Sequence, residues 1–186
     1  MDRYAAGDES AFEEVYDLLA PRLYGYLVRH AGSRERAEDI VQHTFEKIHR
    51  ARGTFIGGAP VLPWAYAIAR RLMIDGFRRD RNEPPLPESA ADEEALPCPG
   101  AGERAASPDE IVQARQTART IERQLARLPE SQRTAFELVK QEELSLAEAA
   151  TVLGTTVTAV KLRLHRAYES LRTALGEDFT FDGDDS

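Results

Sequence analysis

The sequence predicts an all-α protein made of two small helical domains joined by a flexible acidic linker. Three observations predict it. Apolar residues recur at helical spacing in both halves, and residues 1–82 hold no sustained period-two alternation. Between the halves, EPPLPESAADEEALPCPGAGERAASP carries six prolines and two glycines with no apolar period, so it cannot offset its own ordering entropy by burial. The acids also sit mostly outside the periodic segments. The 186 residues carry a net charge of −8, which on its own argues against nucleic acid as a partner. Divided by segment, residues 1–82 are +1, 83–110 are −7, 111–175 are +3 and 176–186 are −5. The helical halves are neutral to basic.

In the first domain Phe12, Val15, Tyr16 and Leu19 mark one helix face, and Pro21 is expected to interrupt or restart the helix. Leu23, Tyr26 and Leu27 continue the stripe to Gly32, and Ser33 is a candidate N-cap. The next helix has Ala37, Ile40, Val41, Phe45 and Ile48 on its buried side. Glu38, Asp39, Gln42, His43, Glu46 and Lys47 lie on the other. Gly53, Gly57, Gly58 and Pro60 mark a loop. A last helix from about Pro63 takes Trp64, Ile68, Leu72 and Phe77 as apolar anchors. It also carries Trp64, Tyr66, Arg70, Arg71, Arg78, Arg79 and Arg81. Rings beside guanidinium groups suit single-stranded nucleic acid, by stacking on bases and holding phosphates; a solvated basic face with a buried Trp is the alternative.

The second domain opens with a capping box, Ser107-Pro108-Asp109-Glu110. Ile111, Ala114, Ala118, Ile121, Leu125 and Leu128 follow at helical spacing. Pro129 starts a second helix, with Ala135, Phe136 and Val139 inward. Ser145 and Glu148 form another capping box, opening a short helix over Leu146–Leu153 that Gly154 closes. Thr156 caps a fourth helix running to about Leu175. Val160, Leu164, Ala167 and Leu171 give its inward stripe, while Thr158, Leu162, His165 and Glu169 face outward, flanked by Lys161 and Arg166, with Arg163 nearer the core edge. Short helix, glycine turn and basic second helix make a helix-turn-helix pattern suited to the major groove; an ordinary helical hairpin is the alternative.

Two stretches resemble one family in the expected order. AEDIVQHTFEKIHR followed by PWAYAIARRLMIDGFRRDR is similar to region 2 of bacterial sigma factors. LPESQRTAFELVKQEELSLAEAATVLGTTVTAVKLRLHRAYESLRTAL is similar to region 4. The closest group is the extracytoplasmic-function (ECF, group IV) sigma factors, which keep little beyond these regions. The resemblance implies a sigma region 2-like domain over 1–82, an acidic Pro-rich linker over 83–107, a region 4-like helix-turn-helix domain over 108–175 and an acidic tail over 176–186. It implies that Asp39, Gln42, His43 and Glu46 meet core RNA polymerase, and that Trp64, Tyr66, Arg70, Arg71, Arg78 and Arg79 hold the melted −10 element. The loop 53–62 would capture a flipped base. Thr158, Lys161, Leu162, Arg163, His165 and Arg166 would read the −35 duplex. In this chain His43 stands at a usual acid, Arg71 at a usual Asn, Ala159 at a usual hydroxyl residue and Leu162 at a usual Ser. Leu162 then touches thymine methyls, faces a protein partner, or is an exposed Leu without a role.

The implied function is promoter-specific transcription initiation, with core RNA polymerase, promoter DNA and an anti-sigma factor as partners. Two alternatives stay open: a sigma-like decoy that binds an anti-sigma factor without productive DNA binding, and a plain helical DNA-binding regulator. No enzyme is expected. Gly57-Gly58 lacks a following GK[ST], and His30, His43, His49, His165 and Cys98 form no ligand set, so neither metal nor cofactor is expected. One cysteine, no apolar run near 18 residues and a polar, acidic start predict a cytoplasmic setting without membrane insertion. The acidic linker is expected either to mimic nucleic acid on the polymerase or to shield the basic helices.

Overall fold

The computed structural model describes residues 1–80 and 120–175, all helix and turn, in two compact units. The linker 83–107, the helix entry at Ser107 with Ile111, Ala114 and Ala118, Arg81 and the tail 176–186 lie outside the described residues.

The first unit runs α1 (Asp2–Ala5), a 3₁₀ turn (Glu9–Ala11), α2 (Phe12–Val28), α3 (Arg34–Ala51), a second 3₁₀ turn (Arg52–Thr54) and α4 (Val61–Asp80). Helices α2, α3 and α4 all pack on one another. Ser33 caps α3, its hydroxyl accepting from the Arg36 N–H at 3.2 Å. Ala37, Ile40, Val41, Phe45 and Ile48 are buried as their spacing predicts, and Thr44 joins them by donating its hydroxyl to the Ile40 carbonyl.

Three expectations are corrected here. Pro21 does not break α2, which is continuous through it. Both Pro21 and Asp17, whose carbonyl loses its helical donor, are exposed, so the lost bond falls on the solvent side while Leu19 and Leu23 hold the helix from its buried side. Tyr16 is 45% exposed. The inward row of α2 is Val15, Leu19, Leu23 and Leu27; Tyr16 falls within the same arc by its spacing, and is left exposed where it lines a groove beside Phe45 of α3. In α4 the buried residues are Pro63, Ala65, Tyr66, Ala69 and Met73; Trp64, Ile68 and Leu72 are only half-buried and Phe77 is exposed. Small residues at 65 and 69 bring the backbone close to its neighbours, so the row next to the large side chains faces inward.

In the second unit a helical segment at 120–127 precedes α5 (Glu130–Phe136), a π-helical turn (Glu137–Gln141), α6 (Leu146–Leu153) and α7 (Val157–Leu175). The π turn corrects the register. Leu138 is fully buried and Val139 half-buried, because the wider turn rotates the residues after Phe136 off the 3.6 period. Glu143 follows with φ 57, and the Leu144 N–H reaches back to the Leu138 carbonyl at 3.0 Å. The capping box at Ser145 is present in both directions, at 3.2 and 2.8 Å. Gly154 closes α6 in the left-handed conformation, φ 60 and ψ 42. Thr156 caps α7 by accepting from the Ala159 N–H, and Val160, Leu164, Ala167 and Leu171 are buried against α5 and α6.

Candidate nucleic-acid and partner-binding surfaces

Three surfaces carry the predicted site residues. The first is the outer side of α3. Asp39, Gln42, His43 and Glu46 are all exposed there. Gln42 and Glu46, with Glu38, line a groove of about 1050 Å³ whose floor holds Phe12, Tyr16, Val41 and Phe45. Asp39 and His43 do not line it. The His43 ring is turned onto its own helix, Nδ1–H donating to the Asp39 carbonyl at 2.8 Å. The Phe45 and Tyr16 rings lie 4.7 Å apart, tilted by 37°. The groove thus has an aromatic floor, with Glu38, Gln42, Glu46, His49 and Arg50 of α3 along one side. Spacing alone does not reveal the aromatic contribution of α2, because Tyr16 shares the arc of the buried row Val15, Leu19, Leu23 and Leu27.

The second surface is α4 with the loop before it. Trp64, Arg71 and Arg78 recur every seven residues and form one stripe about 21 Å long. Arg71, Arg78 and Arg79 are exposed and Arg70 is half-buried. Asp80, an acid on the same helix, is taken up by an ion pair with Arg36, whose guanidinium also lies 4.2 Å above the Phe77 ring. This leaves the arginine stripe less neutralised. Trp64 is half-buried with its ring 5.3 Å from Phe55, and next to Phe55 stands Ile56, 78% exposed. Tyr66 is a correction among the predicted site residues. Its ring is fully buried, edge-on to Tyr26 at 5.4 Å, and presents no face to a base.

The third surface is the outer face of α7. Thr158, Lys161, Leu162, His165 and Arg166 are exposed and Arg163 is half-buried, so all six predicted residues fall on or beside one face. Leu162 is 49% exposed. His165 is engaged by Glu169, Nε2 to Oε1 3.5 Å. The half-face nearer the N-terminus carries Lys161, Arg163 and Arg166 with no acid on α7 before Glu169.

Among the described residues no group of three His, Cys, Asp or Glu is placed to hold a metal ion, and no helix is long and apolar enough to cross a membrane.

An all-helical unit bearing an arginine–aromatic helix, and a second unit with a capped helix-turn-helix, define a class of helical protein whose exposed faces have the chemistry that suits nucleic acid. Residues 15–83 match the sigma-70 region 2 family and residues 118–171 match sigma-70 region 4. The RNA polymerase sigma factor CarQ of Myxococcus xanthus is 33% identical over 177 residues, covering 95% of this chain and 96% of that protein. The ECF RNA polymerase sigma factor SigF of Caulobacter vibrioides is 35% identical over 173 residues, covering 92% and 89%. Among solved structures, the sigma factor RpoE in complex with the anti-sigma factor NepR from Bartonella quintana shares the fold, with a TM-score of 0.68 at 24% identity over 90% of this chain and 98% of that one. The chain belongs to the ECF sigma factors. It is a non-enzymatic transcription factor that works with RNA polymerase and promoter DNA to direct transcription initiation.

Proposed function

We propose that the two units divide promoter recognition, with residues 1–82 binding core polymerase and the melted −10 element and residues 108–175 binding the −35 duplex. The observation that carries this division is the separation of two chemistries. The first unit offers aromatic rings and arginines along α4, suited to unstacked bases and their phosphates. The second offers an exposed basic face on the second helix of a helix-turn-helix, suited to the major groove. Core polymerase docks on the α3 groove through Gln42 and Glu46 on its rim, with Asp39 and His43 beside it. Trp64, Arg70, Arg71, Arg78 and Arg79 hold the −10 strand, and the exposed Ile56 with Phe55 presents the loop to an unpaired base. Thr158, Lys161, Leu162, Arg163, His165 and Arg166 read the −35 duplex. In the sequence the acidic excess is concentrated in 83–110 and 176–186, outside the helices that carry both proposed DNA surfaces.

An anti-sigma factor is a further partner by analogy with the RpoE–NepR complex, and the setting is the cytoplasm, where core polymerase works.

The test is holoenzyme assembly with base-selective footprints. Lys161→Ala and Arg166→Ala should each lower the salt dependence of −35 duplex binding by about one counterion and leave assembly with core polymerase unchanged. Arg71→Ala and Arg78→Ala should impair opening of the −10 region while −35 binding persists. The division fails if either set of substitutions affects both elements equally.

A further inference from the structure

We propose that residues Asp2 to Glu9 form a strap that sets the conformation of the α3–α4 loop, with Asp2 and Tyr4 as positioning residues for the loop's contact with an unpaired base. The proposal rests on the reading of that loop given above. The strap precedes residue 15, where the match to region 2 begins.

The loop has little of its own to hold it. Its internal backbone bonds close only two short turns, Phe55 N–H to the Arg52 carbonyl at 3.2 Å and Ala59 N–H to the Ile56 carbonyl at 3.0 Å. Gly53, Gly57 and Gly58 give it wide conformational freedom in the unbound chain. Yet it must keep Ile56 extended into solvent beside the Phe55–Trp64 pair. The anchor comes from the far end of the chain. The Asp2 carboxylate accepts from the Gly58 N–H at 3.2 Å, across 56 residues of sequence. Gly58 has φ +76, a turn conformation that a side-chain-bearing residue rarely takes.

The strap is itself fastened. Tyr4 is 1% exposed and its hydroxyl meets His49 Nδ1 at 2.5 Å. Arg52 lies on the other side of the same imidazole, Nη1 to Nε2 at 3.0 Å, and pairs with Glu9 at 3.2 Å. A guanidinium only donates, so Nε2 carries the lone pair and Nδ1–H donates to the Tyr4 oxygen. Arg52 opens the 3₁₀ turn that leads into the loop and stands over the Tyr4 ring at 5.6 Å. The end of α3, the strap and the start of the loop therefore form one network, and Asp2 extends it to the loop's far side. Such preorganisation lowers the ordering cost when a base binds.

The experiment compares Asp2→Ala with Asp2→Asn, which keeps an acceptor oxygen. Holoenzyme reconstituted with each full-length chain is offered duplex DNA bearing a melted bubble with randomised non-template bases, and the bound bases are sequenced. Amide exchange at Gly58 is followed by NMR. The Ala variant should lose Gly58 protection and about fivefold of the enrichment at one bubble position, the scale of one hydrogen bond. The Asn variant should retain most of both. Selection in the −35 duplex should not move. The strap is overturned if Asp2→Ala selects bases as the parent does, or if Asp2→Asn loses as much as Asp2→Ala. Ile56→Gly separates the two levels. If it leaves base selection intact, the reading of the loop fails and the proposal with it. If it abolishes selection while Asp2→Ala does not, only the strap falls.

Discussion

Two glycine turns lead into the two elements proposed to face DNA, and they are held by opposite means. The turn at Gly154 is fixed by its neighbours in sequence. Gly154 N–H reaches the Thr151 carbonyl, Thr155 N–H the Ala150 carbonyl, Thr156 caps α7, and the Ser145 capping box starts α6. The loop at Gly58 is fixed from afar, by Asp2 across 56 residues, Glu9 across 43 and the Tyr4–His49 contact across 45. A helix-turn-helix can be written locally because its two helices carry their own start and stop signals. A loop that must hold an apolar side chain in solvent has no such local grammar and borrows rigidity from the tertiary fold.

The largest expected effect tests the dependence of the first unit on its core. Tyr66→Ala removes a fully buried ring packed edge-on to Tyr26 and should cost about 3–5 kcal/mol. Thermal unfolding followed by amide exchange should show α2–α4 destabilised and α6–α7 unaffected; equal loss in both would break the contrast. Next, Gly154→Val places a β-branched residue at φ 60 and should cost about 1–2 kcal/mol, read as loss of α6 and α7 protection. Ser145→Ala should cost about 1 kcal/mol in the same helices by removing one cap. Glu143→Gly should act in the opposite direction, stabilising the second unit by up to about 1 kcal/mol, since it relieves a non-glycine residue at φ 57.

The smallest effect is a pH dependence in the strap. The Asp8 carboxyl is held below the usual carboxylate value, first by the Ser10 hydroxyl and then by Arg3. A lowered folded value means that its contribution is present above the ordinary carboxylate pKa and is lost as pH falls through the lowered value. Acidification through that window should therefore raise amide exchange in residues 2–11 before it touches α6 and α7. Unchanged exchange there would mean that Asp8 does not secure the strap.

Much of the second unit was legible in the sequence. The capping box, Gly154, the inward row of α7 and the six outward or edge residues stand where their spacing puts them. Leu138 was not legible, because nothing in ELVKQ announces a turn of π geometry. In the first unit α3 was read correctly on both faces, since its cap and its apolar period agree. Tyr16 and Tyr66 were exchanged between surface and core, the outward one having been read as buried and the buried one as a stacking ring. Both are amphipathic side chains on helices whose apolar residues cover more than one possible inward arc.

By itself the sequence determined the class of fold, the family and the chemistry of each helix face, because helical period, caps and charge are properties of neighbouring residues. Only the tertiary structure decided which tyrosine is buried and that the α3 face borders an aromatic groove. It alone tied the α3–α4 loop to Asp2. These depend on which helices meet, and no spacing along one helix encodes the partner it packs against.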